Sequence, residues 1–276
     1  MNLLVRKLVV LTAGVTAFAA AGAGQSAQPV GSVSGRMFAG ETLKYEAKIN
    51  KILRGISVAE LTFSAAALPG TGELLIKSKA VSKGTLLKLF RYDFLQEYDS
   101  LMDTDRFRIL RTTKHDVQKD RVRNSVAEFD YRGRRVTFVE TNPKEPMSPP
   151  RRIASEIGDQ LHDMISAVYA VRLLPLVVGK KYEFSVSDSG LVYKVPFTVT
   201  AREQQKTILG KVWCWRVEPD IFGPGRLIEQ KGSMVIWMTD DERHLPVRAE
   251  VQSSLGKLDI KLRSYIQDSS AAAKRP

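Results

Sequence analysis

The sequence predicts a mainly β fold: a single strongly curved antiparallel sheet, an open barrel-like meander, packed on one central amphipathic helix. Three observations predict it. From Glu41 onward, apolar and polar residues alternate with period two in run after run. The runs are separated by short turn-forming segments, which join antiparallel neighbours, because parallel strands need crossovers of about a dozen residues or more. One stretch, after Ser155, carries apolar residues at helical spacing, and the pattern is not repeated after the N-terminal apolar run.

The strands follow in order. In Leu43–Ile49 the alternation is strict, Leu-Lys-Tyr-Glu-Ala-Lys-Ile, the pattern of a half-buried strand. Further strands are expected over Ile56–Ala67, Glu73–Ser82, Tyr92–Met102, Phe107–Asp116, Arg121–Tyr131 and Arg135–Glu140. Pro69-Gly70-Thr71-Gly72, Asp103-Thr104-Asp105 and Arg132-Gly133-Arg134 are their turns. Asn142 to Arg152 breaks the pattern with Pro143, Pro146, Pro149 and Pro150. A helix is expected next, capped by Ser155, with Glu156 and Asp159 at the positive end of its dipole and Pro175 as its stop. Ile157, Leu161, Met164, Ile165, Val168 and Val171 make its apolar stripe. Strands resume over Lys181–Val186, Val192–Ala201, Ile208–Glu218, Ser233–Met238, Leu245–Gln252 and Leu258–Ile266. About twelve strands are too many to stay flat, so twist curls the sheet and its concave side receives the helix.

The N-terminus sets the compartment. Arg6 and Lys7 precede an apolar run from Leu8 to Ala21, and Ala21-Gly22-Ala23 offers small residues to a peptidase. This is the order of a secretory signal peptide, and the run is too short and too rich in Ala and Gly to prefer spanning a membrane. The expected organisation is a signal peptide over 1–23, a flexible tether over 24–39, one β-rich domain over 40–267 and a disordered tail over 268–276. Cleavage is expected after Ala23, with Ala27 as the competitor. A transmembrane segment in the mature chain is not expected. Cys214 is the single cysteine, so an internal disulfide is excluded, and no cysteine near the cleavage site could carry acyl chains. An exported chain without disulfides points to the periplasm or another part of a bacterial envelope.

The chain carries a formal charge of +12, of which Arg6 and Lys7 leave with the signal. Its neighbours are therefore expected to be anionic: lipid headgroups or acidic glycans of the envelope. Nucleic acid is not expected, because export removes the chain from it and the sparse aromatics are not interleaved with basic residues. No Gly-x-Ser-x-Gly elbow, His-Glu-x-x-His, Cys-x-x-Cys or phosphate loop occurs, so neither catalytic residues nor a cofactor or metal is expected. Gly70-Thr71-Gly72 and Gly223-Pro224-Gly225 lack the strand-turn-helix setting of a dinucleotide site and read as hairpin turns. His115, His162 and His244 lie on separate elements without a second ligand at metal spacing. Cys214 faces the core with Val212, and Trp213 and Trp215 share the opposite face. Asp240-Asp241-Glu242 reads as a solvated hairpin tip, since calcium would want about six oxygens from a shaped loop.

One segment leans towards binding. Arg106 to Arg135 holds ten Lys or Arg against four Asp or Glu. Arg106 and Arg108 share one strand face, and Lys119, Arg121 and Arg123 share a face of the next strand. Side by side they would form a basic plate for phosphate or carboxylate groups, the alternative being a solvated outer face.

Gly40-Glu41-Thr42-Leu43-Lys44-Tyr45 and Gly55-Ile56-Ser57-Val58-Ala59 resemble the opening of an exported bacterial family, domain of unknown function 3108. Asp163 to Gly179, with Tyr169, Arg172 and Leu174-Pro175, is similar to that family's helix and exit, and Ile236 to Arg243 with Leu245-Pro246-Val247 to its closing hairpin. The resemblance implies the fold across Gly40 to Ile266 and carries no catalytic residue with it. A more distant likeness of architecture is to LolA/LolB-type carriers, whose curved sheet wraps helices and shelters acyl chains. The expected function is thus a non-enzymatic envelope protein that binds or carries an anionic or amphiphilic component. The alternatives are an assembly factor pairing with another envelope protein through a strand edge, and a hydrolase with a dispersed site.

Overall fold

In the computed structural model the described residues are 35–50, 56–83, 93–254 and 256–268. The expected signal peptide, both cleavage positions, Gly55, Tyr92 and the tail from Ser269 lie outside them. Alternation builds the first strand, β1 (Glu41–Asn50), whose Leu43, Tyr45 and Ala47 are buried while Glu46 and Lys48 pair on the outer side. The meander continues through β2 (Ile56–Leu68), β3 (Glu73–Ser82), β4 (Phe94–Asp103) and β5 (Arg108–Gln118). It runs on through β6 (Arg121–Asp130), β7 (Arg135–Thr141) and β8 (Arg151–Glu156). After a two-residue β9 (His162–Asp163) and helix α1 (Met164–Val171) come β10 (Lys181–Asp188), β11 (Leu191–Thr207) and β12 (Gly210–Pro219). β13 (Gly232–Thr239), β14 (Pro246–Ser253) and β15 (Gly256–Gln267) complete the sheet.

Among the described residues all fifteen strands join one curled, open sheet in the order β8-β7-β6-β5-β4-β3-β2-β1-β15-β14-β13-β12-β11-β10-β9. Neighbours are antiparallel except β9 and β10. The first and last long strands are zipped together from Glu41↔Gln267 to Asn50↔Lys257, and the Asp268 amide donates to the Gly40 carbonyl at 3.0 Å. The open edges, β8 and β9, therefore fall in mid-chain. The curl brings β7 and β8 against the turn between β10 and β11. Gly190 at that turn has φ +82°, and a Cβ there would stand 2.5 Å from Phe138 Cβ and 3.1 Å from Ile153 Cβ. Only glycine meets both conditions.

The helix starts later than its sequence signals suggest. Ser155 lies in β8 and caps nothing; α1 begins at Met164 and is capped by Asp163 in extended conformation. The Asp163 carboxylate accepts from the Ile165 and Ser166 amides, and Ser166 Oγ accepts from the Asp163 amide, a closed capping box. Ile157 and Leu161 are buried beside Tyr169 and Ala170, but from the irregular segment between β8 and β9 rather than from helix. The strand β8 was masked by the prolines before it, and β11 runs to Thr207, well past Ala201. Of the expected tether, residues 24–34 lie outside the described residues, and its last residues are structured: Gly35–Phe38 forms a 3-10 turn and Phe38 is buried against Phe107 and Tyr169.

At the C-terminal end of α1, Arg172 grips Glu41 of β1 with two hydrogen bonds of 2.6 and 2.7 Å, both side chains being buried. Its Nε donates to the Arg243 carbonyl, and its guanidinium lies over the Phe38 ring at 4.5 Å. Removing one partner of such a pair strands a buried charge, a loss of about 3–5 kcal/mol. The clasp fixes the helix to the seam between the first and last strands, β1 and β15.

Candidate functional site

α1 does not fill the concavity it occupies. Between it and the inner faces of β1, β2 and β10 to β15 lies an apolar chamber of about 320 Å³. A second, of about 230 Å³, continues along β1 to β4 and shares Leu61, Phe63, Met164, Ile165, Met234 and Ile260 with the first. The alternating residues of the strands supply these walls, and Val168 and Val171 of the helix face the first chamber.

A third cavity of about 110 Å³ has a different lining. Lys114 and Asp116 of β5, Arg121 and Arg123 of β6, Glu140 of β7, Arg151 of β8, Asp163 and the segment Ser187–Ser189 surround it. It meets the second chamber at Tyr98 and both chambers at Met164. Asp116 is buried, accepts from the Gln96 and Gln118 amides, and faces Arg121 at 3.7 Å. Glu140 faces Arg123 at 3.7 Å. Burial pushes the Lys114 pKa down and the Asp188 pKa up, each opposed by the charge of the other.

The five basic residues singled out in the sequence separate into two groups. Arg106 and Arg108 lie at one end of β5, and Lys119, Arg121 and Arg123 at the other, roughly 30 Å along the strand. Arg108 stacks on the Tyr131 ring at 3.7 Å and donates to the Asp159 carbonyl. Arg121 and Arg123 line the charged cavity, inside the curl. Lys114 belongs to the basic segment but not to the faces singled out in it, and Arg151 and Asp188, which complete that cavity, carry no linear signal, because distant strands deliver them.

The remaining candidates are accounted for by packing. His115 Nδ1 meets Asn124 Oδ1 at 2.6 Å, and His244 Nδ1 meets the Arg172 carbonyl at 3.0 Å. His162 is buried, which lowers its pKa to about 4. Cys214 is buried and its thiol pKa is pushed up to about 12. Trp213 is exposed beneath the Arg202 guanidinium at 4.5 Å, and Trp215 is half-buried. Asp240 pairs with Arg202 and Asp241 with Arg243, and no cluster of three metal-ligating side chains occurs among the described residues. No helix among them is long and apolar enough to cross a membrane.

The model of one family, described as a protein of unknown function (DUF3108), matches residues 44–263. This chain belongs to the DUF3108 family. The curled sheet has relatives among solved structures. A β-barrel-like protein of the DUF1849 family from Brucella abortus is 9% identical, with 83% of this chain and 97% of that one covered at a TM-score of 0.56. A protein with a YmcC-like fold from Bacteroides fragilis is 8% identical over 83% of this chain and 96% of that one, with a TM-score of 0.30. At such identity the first likeness establishes for this chain a β-barrel-like fold and nothing further. No curated protein matches this chain.

Proposed function

We propose that this DUF3108 protein is exported to the bacterial envelope and there binds or carries an amphiphilic component, without catalysing a reaction. One observation carries the reading: two apolar chambers lie under the helix, and Met164 borders both of them and a charged cavity. Protein interiors pack without such space, and apolar wall left uncovered to this extent does not serve the fold, which gains from burying it. Ligand sites, by contrast, are mostly apolar hollows of about 300–1,000 Å³ with a few polar groups that set orientation. The signal-like N-terminus and the basic balance support export and anionic surroundings.

The test is mass spectrometry of protein purified without detergent from the envelope of a producing bacterium, with N-terminal sequencing of the same sample. Co-purifying lipid at near-stoichiometric amount and a terminus at Gly24 are expected. A lipid-free protein that binds no added amphiphile overturns the carrier reading, and retention of Met1 on a cytoplasmic product overturns export.

A further inference from the structure

Within the charged cavity Asp116 and Asp163 are better answered than the bases, while Asp188 is faced by the charge of Lys114. Asp163 is committed to the helix cap and accepts from the Ser100 and Thr112 hydroxyls. Asp116 holds two amide donors besides Arg121. The ion pairs of Arg121 and Arg123 are long, at 3.7 Å each. Lys114 lies over the Tyr98 ring at 4.9 Å and joins no ion pair among the described residues. Ser187, 4% exposed and lining the same cavity, has no hydrogen-bond partner for its Oγ among the described residues. A buried hydroxyl left unpaired is a standing cost, removed when a ligand oxygen accepts from it.

These observations point to one missing chemistry, a group rich in anionic oxygens. We infer that Lys114, Arg121, Arg123 and Ser187 hold the anionic head group, phosphate or carboxylate, of an amphiphile whose acyl chain passes Met164 into the apolar chambers. The inference rests on the carrier reading above and adds to it the charge of the ligand and its direction. Two arginine forks and an ammonium satisfy several oxygens at once, and charge-assisted bonds are stronger inside a cavity than at a solvated surface. Met164 divides the two environments because it is the first residue of α1 and borders all three spaces.

The experiment titrates delipidated mature protein with three probes by calorimetry: palmitoyl lysophosphatidylglycerol, monopalmitoylglycerol and inorganic phosphate. The lysophospholipid is expected to bind about tenfold or more tightly than the neutral glyceride of equal chain length, and phosphate alone about a hundredfold more weakly than the lysophospholipid. Lys114→Gln and Arg123→Gln should each weaken the lysophospholipid about tenfold, a loss confined to the charged probe, while Arg123→Lys recovers part of it. Should Lys114→Gln fail to fold, Ser187→Ala makes the same comparison, with an expected loss of about threefold. Equal affinities for the two amphiphiles overturn the head-group assignment and leave the chambers' role standing. Failure of both amphiphiles overturns the carrier reading as well. Phosphate binding as tightly as the lysophospholipid assigns the cavity to a free anion and overturns the amphiphile.

Discussion

His162 is a buried imidazole between the Phe107 and Phe184 rings, with centroids 6.2 and 5.0 Å away, and its Nδ1 has no hydrogen-bond partner among the described residues. Desolvation holds its pKa near about 4, against an ordinary 6.5. As pH falls from 6.5 to 4 the unfolded chain takes up a proton that the folded chain refuses, so stability drops through that window. Below 4 both states are protonated and the slope from this group ends. The full contribution is roughly 3 kcal/mol. Urea denaturation at pH 7 and pH 4.5 should show this loss in the wild type and a smaller one in His162→Leu; equal losses would remove His162 from the account. At this scale the sequence was partly legible. Arg121 and Arg123 stood out by charge density, yet charge counting could not tell an inward residue from an outward one. Lys114, Arg151 and Asp188 matter only by where the curl delivers them.

At the scale of elements, period two was the reliable signal. β3 runs from Glu73 to Ser82 as its alternation requires, because one face is buried and a slip of one residue would expose it. The helix was harder. Ile157, Leu161, Met164 and Val168 keep helical spacing, but the first two are core residues of an irregular segment, and a stripe of buried side chains does not identify the backbone that carries it. The cap decides the start. Asp163→Ala would strip acceptors from two helix amides and from the Ser100 and Thr112 hydroxyls, an expected loss of about 2–4 kcal/mol. Ser155→Ala should stay within about 0.5 kcal/mol, since β8 uses no cap. Equal losses in a thermal or urea melt would restore the earlier helix start.

At the scale of the whole molecule the ends of the fold touch. Gly40 and Asp268 share a hydrogen bond, whereas the segment around Met147, which is 95% exposed, is a surface loop. A circular permutant that joins Asp268 to Gly35 through a flexible linker, so that the buried Phe38 and Ala39 are kept, and opens at Met147 should keep a single cooperative transition and lose less than about 2 kcal/mol. A molten product on circular dichroism would mean that the β7–β8 connection organises the curl. Gly190 limits that curl from the other side, where the β10–β11 turn is pressed on Phe138 and Ile153. The β1–β15 seam also sets an order of events in time. β1 acquires its β2 neighbour locally, but its other edge pairs with residues more than 200 positions away. Contacts of such separation form slowly, and until they do β1 presents an unpaired row of amides and carbonyls to any passing strand. Refolding yield should therefore fall as protein concentration rises, and the last bonds to close are those at the centre of the sheet.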